Sequence, residues 1–196
     1  MLPLNSEDRR RLLQLARQAL KSRLAKSESP KPPVDSSEIP PALQACAGVF
    51  VSLHRKSGEL RGCVGFVEPR LPLFLAVMEA AAAALHDPRF PAVSESELPE
   101  MDVEISVLSP PRPVKLNEIR IGTHGLLVTK GAARGLLLPQ VAVERKWDTE
   151  RFLVETCRKA GLAPDAWRKD AQVQAFQAEV FGELTQDRET IQETLL

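Results

Sequence analysis

The chain has 196 residues, 43% of them hydrophobic and 27% charged, with 26 basic residues balanced by 26 acidic ones. That length suits one domain, or a large and a small lobe, with a sizeable core, and the balance is that of an ordinary globular protein. The absence of Tyr and an aromatic content of 5% leave a nucleic-acid binder without a stacking platform, and no apolar run reaches the roughly 18–20 residues of a membrane span.

Residues 1–26 are expected to form a basic helix capped by Ser6, because Leu12, Ala16, Leu20 and Leu24 repeat every four residues with arginines on the other face. Residues 1–31 hold eight Lys/Arg against Glu7, Asp8 and Glu28, hence +5. Such a helix can meet phosphate, but is more often a solvated face. Glu7, Asp8 and Arg9 to Arg11 occupy the place of a signal peptide's apolar stretch, so a cytoplasmic protein is expected. Residues 27–41 carry Pro30, Pro32, Pro33, Pro40 and Pro41 and predict an extended linker, with the first helix packed outside the main domain. That domain is expected over 42–184, followed by a polar tail over 185–196.

Val49, Val51 and Leu53 alternate with Phe50, Ser52 and His54, which predicts a strand. A turn at Gly58 leads to a return strand over 60–67. Pro72 opens an Ala-rich helix, apolar nearly all round and therefore central, which runs to Leu85. A third strand is predicted over 101–108. The second half repeats the plan: strand 119–129, a turn, strand 135–138, then a short helix after Pro139. A further helix is capped by Asp148 and ended by Gly161, and a last strand spans 176–180. Turn glycine, short strand, proline and helix thus occur twice. The pattern predicts an α+β fold built from two related strand–helix repeats.

Leu60-Arg61-Gly62-Cys63-Val64-Gly65 is the first candidate site. Gly62 and Gly65 weaken a strand, and are tolerated where backbone must come close to a chain segment or a ligand. Arg61 and Cys63 alternate to one face. A guanidinium beside a thiol favours the thiolate, as a nucleophilic cysteine requires. The plainer alternative makes Cys63 a small core residue and pairs Arg61 with a structural carboxylate. His124, between Gly122 and Gly125, is a candidate base if it faces Cys63, or is satisfied by backbone. Asp87 and Arg89 are expected to form a local ion pair locking their turn, or else to bind an anion. Gln140 sits at a helix start where free N–H groups attract anions. Cys46 and Cys157 are read as filler. The three cysteines lie 17 and 94 residues apart, which is no metal-ligand spacing, and no cofactor fingerprint occurs.

The hexapeptide at 60–65 resembles the signature of the AMMECR-type domain family, the A component of AmmeMemoRadiSam systems. The resemblance continues in order and spacing through Asp87-Pro88-Arg89-Phe90-Pro91, Glu104-Ile105-Ser106-Val107-Leu108-Ser109 and Ile121-Gly122-Thr123-His124-Gly125-Leu126. It then runs through Leu136-Leu137-Leu138-Pro139-Gln140-Val141-Ala142, Trp147 and Lys159-Ala160-Gly161-Leu162, covering residues 8–184. Val64 stands where isoleucine is common, and the linker at 27–41 is longer than usual. The resemblance implies an α+β fold with two repeats around a mixed, barrel-like sheet. It also implies association with a Memo-like protein and a radical-SAM protein. On that basis the chain is expected to be an accessory or substrate-handling component, binding a small molecule or a partner at Arg61, Cys63 and His124. The alternatives are an enzyme using Cys63 with Arg61 and His124 assisting, and a nucleic-acid module using the first helix.

Overall fold

The computed structural model describes residues 3–25 and 39–183. The expected linker, apart from its last three residues, and the expected tail lie outside the described residues. The described chain divides into two compact units, a smaller one spanning Leu108–Ala178 and a larger one formed by the sequence on either side of it.

The larger unit holds α1 (Ser6–Leu24), α2 (Pro41–Gln44) and α3 (Leu73–Ala84) with strands β1 (Gly48–Arg55), β2 (Leu60–Phe66) and β3 (Met101–Leu108). A last strand, numbered β8 in chain order (Ala178–Gly182), completes its sheet in the order β2-β1-β3-β8. The layering follows from hydrophobicity. Val49, Val51 and Leu53 of β1 are fully buried on one face of the sheet, and α3 packs on β1 and β2. α1 packs on α3 in turn, burying Leu12, Ala16, Ala19 and Leu20. Covered on two sides, α3 has to be apolar nearly all round, and of its twelve residues eight are buried. α1 starts one residue earlier than the Ser6 cap implies. Asn5 is the N-cap, and it forms a reciprocal capping box with Asp8. Three of its arginines meet acids: Arg9 with Glu179, Arg10 with Glu7, and Arg17 with Glu183. Arg17 also donates to the Leu98 and Met101 carbonyls.

The smaller unit holds the sheet β4-β7-β5-β6, made of β4 (Arg112–Pro113), β5 (Gly125–Lys130), β6 (Ala133–Leu137) and β7 (Gln172–Phe176). Helices α4 (Pro139–Glu144) and α5 (Thr149–Lys159) follow the β5–β6 hairpin. Phe152 and Leu153 of α5 are fully buried with Leu126 in its core. Asp148 caps α5 through the Arg151 N–H, and Gly161 follows its end with φ +71°. Every ladder with a defined register is antiparallel.

The hairpin-then-helix unit therefore occurs twice, as β1–β2–α3 and β5–β6–α4–α5. One contact is shared by both copies. A Cβ on Gly62 of β2 would lie 2.3 Å from the Ala84 carbonyl at the end of α3. A Cβ on Gly135 of β6 would lie 2.5 Å from the Thr156 carbonyl and the Ala160 N near the end of α5. In each copy a glycine lets the second hairpin strand press its backbone against the helix that follows.

Three further expectations differ from the structure. The strand predicted over 119–129 begins only at Gly125, because the chain turns before it, with the Thr123 and His124 N–H groups bonded to the Arg120 carbonyl and Gly122 at φ +82°. The barrel-like sheet is instead two separate four-stranded sheets, neither of them closed. The last strand, predicted over 176–180, is two strands in different sheets, β7 ending at Phe176 and β8 starting at Ala178. Gln177 breaks it by bonding to Ser109 in both directions: its carbonyl accepts the Ser109 N–H and its N–H donates to Ser109 Oγ, each at 2.9 Å. Alternation continues through such a break, so periodicity could not show it. Among the described residues, no helix is long and apolar enough to cross a membrane.

Candidate functional site

The site is assembled where α3 ends beside β2, an edge strand of its sheet. After α3 the chain turns through Asp87 to Phe90, with the Phe90 N–H bonded to the Asp87 carbonyl at 3.0 Å. Asp87 is 3% exposed at its side chain and Arg89 57%. The carboxylate accepts the Arg89 backbone N–H at 3.0 Å and the Arg89 guanidinium at 2.6 Å. It also reaches across to accept the Cys63 N–H at 2.9 Å. Arg89 Nη2 donates to the Cys63 carbonyl at 3.3 Å. One ion pair thus satisfies both backbone groups of Cys63, taking the place of a neighbouring strand at the sheet edge. The guanidinium also lies 5.5 Å from the centroid of the Phe90 ring.

The electrostatics follow from those contacts. The Arg89 hydrogen bond, with the N–H groups of Cys63 and Arg89 adding to it against the cost of burial, holds the Asp87 carboxyl well below the usual carboxylate range. The Arg89 guanidinium is held more firmly protonated, first by Asp87 and further by the Cys63 sulfur beside it. The cation placed to act on Cys63 is therefore Arg89.

Arg61 is engaged elsewhere. The β1–β2 register pairs Leu53 with Gly62 and His54 with Leu60, so Arg61 is the extra residue of a β-bulge. A bulge re-aims the side chain it carries, and Arg61 is 7% exposed. Its Nε donates to Glu97 at 3.1 Å, Nη1 to the Pro91 carbonyl at 2.6 Å, and Nη2 to the Ala92 carbonyl at 3.2 Å. Glu97 also closes a capping box on Ser94, and the Ser94 N–H together with Arg61 lowers its carboxyl to about 2. Arg61→Lys keeps the charge but loses the planar fork. It is expected to lower stability by about 1 kcal/mol, measured by urea denaturation. A variant as stable as the parent would show that this clasp contributes nothing.

Cys63 is half-buried, Cys46 exposed and Cys157 buried, the last with its thiol pushed up by burial. Cys46 is thus a surface residue rather than core filler. Gly65 faces Phe50, where a Cβ would fall 2.5 Å from the ring, so packing alone demands the glycine. His124 and Gln140 belong to the smaller unit. His124 Nδ1 accepts the Arg120 N–H at 3.2 Å, and Gln140 is the second residue of α4. Among the described residues no cluster of three or more His, Cys, Asp or Glu could hold a metal ion.

The histidine on the sheet face of Cys63 is His54. Ser52 pairs with Cys63 across the β1–β2 ladder. Because Asp87 and Arg89 take both backbone groups of Cys63, this is a non-hydrogen-bonded pair, the closer kind. His54 lies two residues further along β1 on that face, and its own partner is Leu60, beyond the bulge at Arg61. His54 Nε2 is buried without a hydrogen bond, 3.9 Å from Glu104 Oε1 on β3. The strand alternation that includes His54, combined with the hairpin turn, was the signal that could have found it. The contacts of Arg89 with Cys63 and of Glu97 with Arg61 gave no such signal, because these pairs lie 26 and 36 residues apart.

The chain is thus an α+β protein in which a hairpin-then-helix unit occurs twice. The chain belongs to the AMMECR1 family, whose model matches residues 13–181. A protein of Methanothermobacter thermautotrophicus is 46% identical over 190 residues, covering 92% of this chain and 97% of that one. Protein PF1979 of Pyrococcus furiosus is 47% identical, covering 88% of this chain and 86% of its own length. The crystal structure of protein PH0010 from Pyrococcus horikoshii has the same fold, with a TM-score of 0.82 at 44% identity over 88% of this chain and 89% of that one.

Proposed function

We propose that this protein is a substrate-handling component, working beside a Memo-like protein and a radical-SAM protein, and that it presents Cys63 and Arg89 to an anionic group of its substrate or partner. The observation behind this reading is the Arg89 guanidinium, anchored by Asp87, bonded to the Cys63 carbonyl and still 57% exposed at its side chain. A cation held in place and open to solvent needs little reorganisation to receive an anion. The test is to mix the protein with each partner under reducing, anaerobic conditions and measure association. Binding weakened by Arg89→Ala is the expected result, and no association with either partner sinks the proposal.

A second reading makes Cys63 a nucleophile, with Arg89 as the cation that favours its thiolate. It is favoured by the Arg89 guanidinium, which bonds to the Cys63 carbonyl and lies beside the Cys63 sulfur. Native, reduced protein is expected to alkylate at Cys63 faster than at the exposed Cys46, and Arg89→Ala to slow Cys63 by roughly tenfold at neutral pH, the scale of one nearby opposite charge. If Cys63 reacts only on unfolding, the enzyme reading is lost while the partner-binding one stands on its own test.

A further inference from the structure

We infer that the smaller unit carries a separate binding cavity for a small carboxylate with an apolar body. The cavity, of about 390 Å³, is lined by Ser109, Arg112, Val114, Glu118, His124 and Phe176 among others, all within Leu108–Ala178. Its size falls in the range of small-molecule sites.

The apolar floor is a consequence of sequence. Gly125 of β5 pairs directly with Phe176 of β7, and a Cβ on Gly125 would lie 2.3 Å from the Phe176 ring. Without a side chain at 125 the ring lies across β5, 2% exposed, and Val114 lines the cavity with it.

The polar groups around this floor are mostly donors. His124 is fixed at both ends: its N–H bonds to the Arg120 carbonyl at 2.9 Å and its Nδ1 accepts the Arg120 N–H. With Nδ1 accepting, the neutral ring carries its proton on Nε2. Ser109 Oγ accepts the Gln177 N–H, which leaves its hydroxyl hydrogen to donate. Arg112 sits on β4 opposite Ala175 and has no acidic partner among the described residues. The one carboxylate at the rim, Glu118, accepts the Lys115 N–H at 2.9 Å and so closes its own turn. A guanidinium, an imidazole N–H and a hydroxyl around an aromatic floor recognise a carboxylate attached to an apolar group. This site is independent of Cys63 and adds a second recognition surface to the chain.

The test uses the full chain and two matched probe pairs, N-acetyl-L-phenylalanine against its primary amide, and benzoate against benzamide. Binding is followed by NMR at the His124 ring and the Ala175 and Gln177 amides. The acids are expected to shift these resonances saturably, and to bind about tenfold more tightly than the amides. Arg112→Gln and His124→Gln should each remove most of that preference while leaving the rest of the spectrum in place. Amides binding as well as acids would overturn the assignment. So would a preference unchanged in both variants, saturable shifts confined to other residues, or no saturable shift into the millimolar range.

Discussion

Replacing Gly62 with alanine is expected to lower stability by about 3 kcal/mol, at the upper end of what overpacking a fixed site costs. For a chain of this size that is a fall in melting temperature of roughly 6–12 °C. The cause is the Ala84 carbonyl, 2.3 Å from where the new methyl would stand. Backbone at the end of a packed helix cannot swing aside as a surface side chain would. Either β2 moves off α3 or the helix end shifts, and both break the bonds from Asp87 and Arg89 to Cys63. Gly58 gives the comparison. It has φ +87° and open space around its Cβ position, so alanine there meets only the left-handed backbone cost of about 1–2 kcal/mol. Thermal melts of the two variants separate close approach from conformational strain. If Gly62→Ala melts no lower than Gly58→Ala, the pressed contact between β2 and α3 is not what fixes this glycine.

Removing the Asp87 side chain is expected to cost about 2–4 kcal/mol near neutral pH, because Asp87→Ala leaves the Cys63 and Arg89 N–H groups without their acceptor. The same carboxylate makes the protein acid-sensitive in a defined direction. Its folded-state carboxyl titrates well below the ordinary value of 3.8. Its contribution is therefore complete above that value and is lost as pH falls below it, where the unfolded chain takes up a proton first. Glu97, lowered from 4.5 to about 2, acts in the same sense between those values. Urea denaturation at neutral pH and at about pH 3 should show the gap between parent and Asp87→Ala narrowing in acid. A gap that stays constant or widens would mean that the carboxylate's charge is not what stabilises the turn.

What could be read from the sequence was what short-range periodicity controls. The alternation of β3 places it over 101–108, where it lies. The apolar character of α3 announces its two covers, and Asp148 and Gly161 mark the ends of α5 through local cap chemistry. The site was legible as a place. Two glycines inside a strand signalled a close approach, and the Asp87–Arg89 ion pair was readable from its spacing. The assignment of roles was not. Arg61 and Cys63 look equivalent by alternation, but a one-residue bulge gives Arg61 to Glu97 and leaves Arg89 beside Cys63. Bulges and pairings across 24 to 36 residues depend on which strand is at the edge and where the turn after α3 falls. Alternation carries none of that information. The split between β7 and β8 was hidden for the same reason, since the bonds that divide them come from Ser109.

The order of strands around β3 also bears on how the chain is made. In the finished larger sheet β3 lies between β1 and β8, yet β8 follows the whole of the smaller unit in sequence. During synthesis β3 therefore leaves the ribosome with one edge open, and keeps it open until the smaller unit has been translated. Its Val103, Ile105 and Val107, with Leu108 beyond them, are the kind of apolar β-forming run that recruits other chains when its edge is free. A nascent chain stalled anywhere between Ser109 and Gln177 would present that edge.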